Sequence, residues 1–589
     1  MRKKNLFKKL IAAAGAMAMA LTLMVPMGVS EAHTMDEQTP VNLIIEKHKT
    51  PTPSGSNNPE STGEKLDGVS GDALPGVEFT IVKVADIGND SYEVKYNLTE
   101  DGGRIFTSLK KNEGDVVTGS ALQECLKPTS GNDLSSIKDC TNAISGKTAT
   151  NGQVVFSSNN ALPSGCEAST LVHMTTGRGI YLVVETAWPA TVTTRSVPFL
   201  VSLPMTSKAN NGNWIYDVYA YPKNSTEDFD IDKNITSVGD SGGNISSDDS
   251  KAEASIGDVI TYQVPVTAVI PDGGLTKLGI KDTMSEGLTL IDDSNVEVNV
   301  TESGEKVTGV VDVHEGTTTG GNKLIEDTDY TVMASKGTNG NTILRVELSP
   351  SKIAALNKNA GTDNTPQFLF VYKAKLNKNA VAGSETTGNS VKLVYNYTNN
   401  PGAEIEFGKD IDTTIYTWGI DITKKSDTNQ TLSGVTFELY KDRAEGTALK
   451  FKRINSGGNE DVYCLDTAGD STLTTSADGK LVIHGLASGT YYLKETKTNS
   501  GYVLLKDPVK IVISPDSEFD GETTAKIGNN ESSVKQNEDD RFEVTVVNNK
   551  GFDLPQTGAA GTALFAVAGM AIAAVAGGLL FFLRRSSKK

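Results

Sequence analysis

Several apolar rows in this sequence end in a lysine, a carboxylic acid or an asparagine. Alternate residues of a strand share a face, so Ile420, Ile422 and Lys424 lie on one side of theirs, as do Leu43, Ile45 and Lys47. Tyr491, Leu493 and Glu495 form a third row, Tyr181, Val183 and Glu185 a fourth, and Phe542, Val544, Val546 and Asn548 a fifth. Each row must point into a core, where an unpaired charge is costly. The group neutralises instead, lysine by losing its proton and the acid by gaining one. A neutral amine beside an asparagine carboxamide can attack its carbonyl carbon. A protonated acid can polarise that carbonyl and shuttle protons to the departing ammonia, and confinement in a rigid core supplies much of the acceleration. The product is a Lys–Asn isopeptide bond. The plainer alternative is that each row simply runs out into solvent; for a single lysine it would be preferred. The repeated Lys/Glu/Asn set tips the balance toward cross-linking in the last domain.

Short β-branched runs separated by Gly, Asn, Asp and Ser clusters would position these groups. Val259–Val266, Phe368–Tyr372 and Phe542–Val547 are examples, and glycine is abundant at 57. This pattern predicts an all-β chain of tandem immunoglobulin-like sandwiches. A repeat sets the boundaries. Leu43–Lys47, Leu74-Pro-Gly-Val-Glu-Phe79 and Gly179–Thr186 recur as Ile420–Lys424, Leu432-Ser-Gly-Val-Thr-Phe437 and Gly489–Thr496, with the same Tyr-to-Glu spacing. The middle region differs: its lysine strand is Phe229–Lys233, its acid comes early in Gly279-Ile-Lys-Asp282, and its last strand begins at Gly388-Asn389. The expected organisation is domains at 33–223, 224–412 and 413–553, with 51–72 and 237–251 as solvated loops.

The two ends speak of export. Residues 1–32 combine a basic start, an apolar run from Leu10 to Met27 and small residues at Ser30 and Ala32, as in a secretory signal. At the other end Leu554-Pro555-Gln556-Thr557-Gly558 precedes an apolar stretch at 559–583, long enough to span a bilayer, and a basic tail at 584–589 that stays cytoplasmic. This order resembles the cell-wall sorting signal of Gram-positive surface proteins. The resemblance implies that a sortase cysteine attacks the Thr557 carbonyl, with Gly558 leaving. Both removed ends are basic, so the mature part is more acidic than the whole chain at −18. That excludes nucleic acid as a natural partner. Export permits disulfides among Cys125, Cys140, Cys166 and Cys464, with the pairing open. Five histidines without metal spacing, no phosphate loop and no nucleophile motif predict no enzyme, no cofactor and no metal site.

Ahead of the middle domain runs Trp214-Ile-Tyr-Asp-Val-Tyr-Ala-Tyr-Pro222-Lys223. Trp214, Tyr216, Val218 and Ala220 alternate as on a half-buried strand. Pro222 should end that strand, leaving Lys223 at its end near a domain junction, open to an external enzyme. The segment resembles the pilin motif of sortase-assembled pili, with Ala220 in place of a valine. The last domain resembles a collagen-adhesin B-type repeat whose E-box ends in Glu495-Thr496, although the family's Ala-Pro is replaced by Lys497–Ser500. The middle region resembles the second domain of backbone pilins. Carried over, the bond-forming sets are Lys424/Glu495/Asn548 and Lys233/Asp282/Asn389, with Lys47/Glu185/Asn224 in the first domain, where some backbone pilins lack the bond.

Taken together, the sequence resembles the Gram-positive major pilins. The resemblance implies a shaft subunit joined through Thr557 and Lys223 and displayed as a wall-anchored fimbria serving adhesion or biofilm. Its partners would be pilin-specific and housekeeping sortases, further copies of itself, minor pilins, peptidoglycan and host surface ligands. A monomeric wall-anchored adhesin or a tip or basal pilin would share every feature except an acceptor lysine in the motif.

Overall fold

The computed structural model describes residues 35–49, 62–67, 69, 71–87, 95–109, 112–126, 134–207, 213–239, 243–360, 364–380, 382–383, 387–398, 400, 402, 404–455, 460–519, 523–528, 532–537, 541–551 and 559–586. The expected leader at 1–32 and the pentapeptide Leu554–Gly558 lie outside the described residues. The chain is built mostly of strands arranged as packed sheets, as its alternating patterns dictate.

In the first unit, strand Asn42–Glu46 lies between Gln153–Ser157, antiparallel, and Asp217–Ala220, parallel. A second sheet carries Glu78–Ile87, Gly179–Ala187 and Phe199–Leu203 side by side. Leu43, Ile45, Phe79, Ile81, Tyr181, Val183, Val218 and Ala220 fill the space between the sheets. The last unit repeats this plan. Strand Trp418–Ser426 lies between Lys480–Leu486, antiparallel, and Arg541–Asn548, parallel. Thr436–Lys441 pairs with Gly489–Lys497 in the facing sheet. In both units the phenylalanine of the Leu-x-Gly-x-x-Phe element stands opposite the acid, Phe79 against Glu185 and Phe437 against Glu495, just after a register shift. The repeat in sequence is thus a repeat in register.

The middle unit is a larger sandwich. One sheet holds Val259–Thr267 and Gln367–Leu376, the other Leu275–Met284 and Thr387–Tyr397. Strand Thr387–Tyr397 is not the last one: Ile405–Tyr416 follows and pairs with it. This extra strand holds Ile415 in the core.

Neither expected loop is simply solvated. Gly63 accepts the Tyr219 N–H at 2.8 Å and the Leu66 N–H donates to the Tyr221 hydroxyl at 2.8 Å, so residues 63–66 cover the outer edge of the Asp217–Ala220 strand. Ser247 meets Glu518 of the last unit at 2.9 Å. A buried carboxylate at Glu253 joins the middle and last units, accepting from the Trp418 indole at 3.1 Å and from the Ser488 N–H at 2.9 Å. The four cysteines are buried, and no disulfide joins them. Beyond the last unit, Ala559–Ser586 is one continuous helix with a membrane-compatible stretch at Phe565–Arg585 and mean hydropathy 2.3.

Candidate functional site

Lys47, Lys233 and Lys424 are all buried, with relative exposures of 0%, 2% and 0%. Burial depresses each amine from its ordinary 10.5 to about 8. For Lys47 and Lys424 a nearby glutamate opposes that shift, and for Lys233 Asp282 does. Each lysine is thereby brought toward the neutral, nucleophilic form.

The first cluster is the most closely assembled. Lys47 follows the strand that places Leu43 and Ile45 in the core, and its Nζ donates to Asn224 Oδ1 at 2.5 Å and to Glu185 Oε2 at 3.0 Å. Asn224 Nδ2 donates to the other oxygen of the same carboxylate, Oε1, at 2.5 Å. The Phe79 ring lies 5.5 Å from the amine. Ser196, which no periodicity singled out, sits among the three: its hydroxyl donates to Glu185 at 2.7 Å and its backbone N–H to Asn224 Oδ1 at 2.8 Å.

In the middle unit Lys233 lies in a break between two short strands, Asp230–Ile231 and Asn234–Val238, both paired to Val259–Thr267. It reaches across the sandwich and donates to Asp282 Oδ2 at 2.5 Å. Burial raises Asp282, so lysine and acid are both driven toward their uncharged forms. The Tyr372 hydroxyl donates to Asp282 at 2.6 Å and accepts from Asn389 Nδ2 at 3.1 Å, linking acid and amide. Tyr262 and Tyr372 flank the amine, their ring centroids 5.1 and 5.7 Å from Nζ. Both tyrosines fall in the apolar runs Val259–Val266 and Phe368–Tyr372, where nothing in the sequence singles out their hydroxyls.

The third cluster is assembled in part. Asn548 Nδ2 donates to Glu495 Oε1 at 2.7 Å and to Thr498 at 2.7 Å, and Glu495 Oε2 accepts the Leu505 N–H at 2.8 Å. Lys424 instead donates to the main-chain carbonyls of Val546 and Lys425, at 3.2 and 3.3 Å. The parallel register sets Lys424 beside Val546, two residues before Asn548 on the same buried row. The amine is thus on the same buried row as the carboxamide, whose Oδ1 is buried without a hydrogen-bond partner.

At the pilin motif Pro222 does end the Asp217–Ala220 strand, but Lys223 opens a new one, Lys223–Thr226, instead of closing the old. That strand runs parallel to His48–Lys49, with Lys223 opposite His48. Lys223 is half-buried, which lowers its amine from the ordinary value. Asp217–Ala220 is buried on both faces in its second half: Val218 and Ala220 enter the main core while Tyr219 packs with Ile44, Val155 and Cys166.

Family comparisons agree with this arrangement at both ends. Residues 38–225 match the model for the N-terminal D1 domain of Gram-positive pilin subunits, 419–530 match a prealbumin-like fold domain, and 546–589 match the LPXTG cell wall anchor motif. The fimbrial subunit type 1 of Actinomyces viscosus is 25% identical, the match covering 96% of this chain and 95% of that one. The fimbrial subunit type 2 of Actinomyces naeslundii is 24% identical over 99% and 98%. The chain belongs to the sortase-assembled Gram-positive pilins. Among solved structures, the major pilin SpaD of Corynebacterium diphtheriae matches with a TM-score of 0.41 and 21% identity, over 88% of this pilin and 99% of that chain. The pilin is a structural subunit of a pilus anchored to the cell wall, a sortase substrate that polymerises with other pilins.

Proposed function

We propose that this pilin forms the shaft of its fimbria through an amide between Thr557 of one copy and Lys223 of the next. A pilin-specific sortase breaks the Thr557–Gly558 peptide bond and holds Thr557 as a thioester. The Lys223 amine of a second copy attacks it, the amide forms and the enzyme thiol is released. Such a head-to-tail contact propagates without closing and gives a fibre. A housekeeping sortase then transfers the polymer to peptidoglycan, with minor pilins at its ends and host ligands met along its length. The observation that carries this reading is the setting of Lys223. A half-buried amine with a lowered pKa, directly after a strand-ending proline, presents more of its nucleophilic form at neutral pH than an exposed lysine does.

Within each copy, Lys47–Asn224, Lys233–Asn389 and Lys424–Asn548 bonds stiffen the three units, with Glu185, Asp282 and Glu495 as the respective proton carriers. Digestion of wall-extracted polymer tests the intersubunit assignment. A branched peptide joining Thr557 to Lys223 is expected, and a branch on any other lysine would overturn it.

A further inference from the structure

We propose that Ser196 is a catalytic residue of the first cluster, its hydroxyl relaying a proton from Lys47 to Glu185 while its backbone N–H holds the carbonyl oxygen of Asn224. The inference rests on the reading that Lys47 and Asn224 become joined. Ser196 lies between the Val192–Thr194 and Phe199–Leu203 strands and is buried. Its hydroxyl oxygen accepts from Lys47 Nζ at 3.1 Å and donates to Glu185 Oε2 at 2.7 Å, so it bridges the two beside the direct 3.0 Å contact of Nζ with Oε2. Its N–H points at Asn224 Oδ1, the atom on which negative charge develops when Nζ attacks Cγ.

The step balances without any outside reagent. Neutral Lys47 forms the new C–N bond to Asn224 Cγ and gives up one proton, which passes through the Ser196 hydroxyl to Glu185 Oε2. Glu185 delivers a proton from Oε1 to Asn224 Nδ2, which lies 2.5 Å away. The Cγ–Nδ2 bond then breaks and ammonia departs. Both oxygens of one carboxylate thus have separate tasks, and Ser196 connects the one facing the amine. The other clusters solve the problem differently. In the middle unit Tyr372 bridges acid and amide, and in the last Thr498 accepts from the amide.

The test uses the full-length protein made in a Gram-positive host lacking sortases, pulse-labelled and digested at intervals. The readout is the branched Lys47–Asn224 peptide, with the Lys233–Asn389 branch in the same molecules as a reference. Ser196→Ala should form the first branch more slowly by about tenfold or more, in line with the loss of a positioned proton carrier. Ser196→Thr, which keeps the hydroxyl, should restore most of the rate. Wild-type kinetics in Ser196→Ala would overturn the relay, and so would equal slowing in both variants, since that would mark a packing defect. Absence of the branch in the wild-type chain is a different result: it would remove the cross-link itself.

Discussion

Asn224 and Lys223 are consecutive residues that face opposite environments. Asn224 is fully buried against Lys47 and Glu185, whereas Lys223 is half-buried opposite His48. Strand alternation sends the two side chains to opposite faces, and here only the face of Asn224 meets the core. The two proposed bonds of the first unit are therefore one peptide unit apart. Tension entering at the Lys223 joint would pass within one residue into a covalent tie to Lys47, instead of being borne by the short parallel pairing of Lys223–Asn224 with His48–Lys49.

Lys223→Ala should abolish the covalent ladder seen on denaturing gels of wall extracts while leaving a folded, exported monomer. The side chain is half-buried but is not part of the buried cluster, so the cost to stability should be about 1 kcal/mol, the ordinary size for a point substitution. A ladder of unchanged intensity would mean that another lysine accepts the thioester.

Thr557→Ala, or deletion of 554–558, should prevent both polymerisation and wall attachment, because the acyl-enzyme forms at the Thr557 carbonyl. Fractionation into wall, membrane and medium checks this. The deleted protein should remain with the membrane through its apolar C-terminal helix. Wild-type amounts in the wall fraction would rule out the pentapeptide as the sorting signal.

Much of this site could be read from residue order because the relevant signal is local. Alternation alone put Lys47, Lys424, Glu185, Glu495 and Asn548 on core-facing rows, and all are buried. The less legible parts depend on three-dimensional closure. Ser196 lies in an irregular segment where no period operates, and it meets its partners only because strands far apart in sequence converge there. The Lys233 strand is broken just where its lysine turns inward, so its alternation covers too few residues to reveal the break. The rule for proline puts Lys223 at a strand end. The same proline instead separates two strands, since its missing N–H lies at the junction and not inside a ladder.

The middle cluster makes a pH-dependent prediction in its unbonded form. In Asn389→Ala no bond can form, and Lys233 keeps an amine whose pKa falls from 10.5 unfolded to about 8 folded. Between those values the unfolded chain binds more protons, so the stability of the middle unit should rise with pH through that window. Asp282 acts with the opposite sign. Its raised folded pKa means that the folded state holds the extra proton, so stability should fall as pH climbs above the ordinary carboxylate value of 3.8. In the bonded wild type the amine has become an amide and cannot titrate, which removes the alkaline rise. Urea unfolding of both proteins across pH 7 to 11 measures the difference. Identical slopes would show that Lys233 is unbonded in both or is charged in neither.

The mass of the folded protein tests the internal bonds directly. Residues 33–553, expressed and purified, should weigh less than their sequence by one ammonia for each bond, and three losses are expected. The Lys47 cluster should react most readily, because amine, carboxamide and acid already touch. The Lys424 cluster requires the amine to leave the carbonyls of Lys425 and Val546 first. Glu495→Ala should restore one ammonia, since Asn548 Nδ2 loses the carboxylate that serves the leaving nitrogen. It should also lower the melting temperature of the last unit. Lys424 and Asn548 lie on its first and last strands, parallel neighbours in one sheet, and a tie between them closes a loop of more than a hundred residues. By analogy with a disulfide of that span, the constraint on the unfolded chain is worth about 4–5 kcal/mol. Intact-mass spectrometry of the wild type and of Glu495→Ala decides the matter. A wild type at its full unmodified mass would mean that all three lysines are buried, unbonded amines and nothing more.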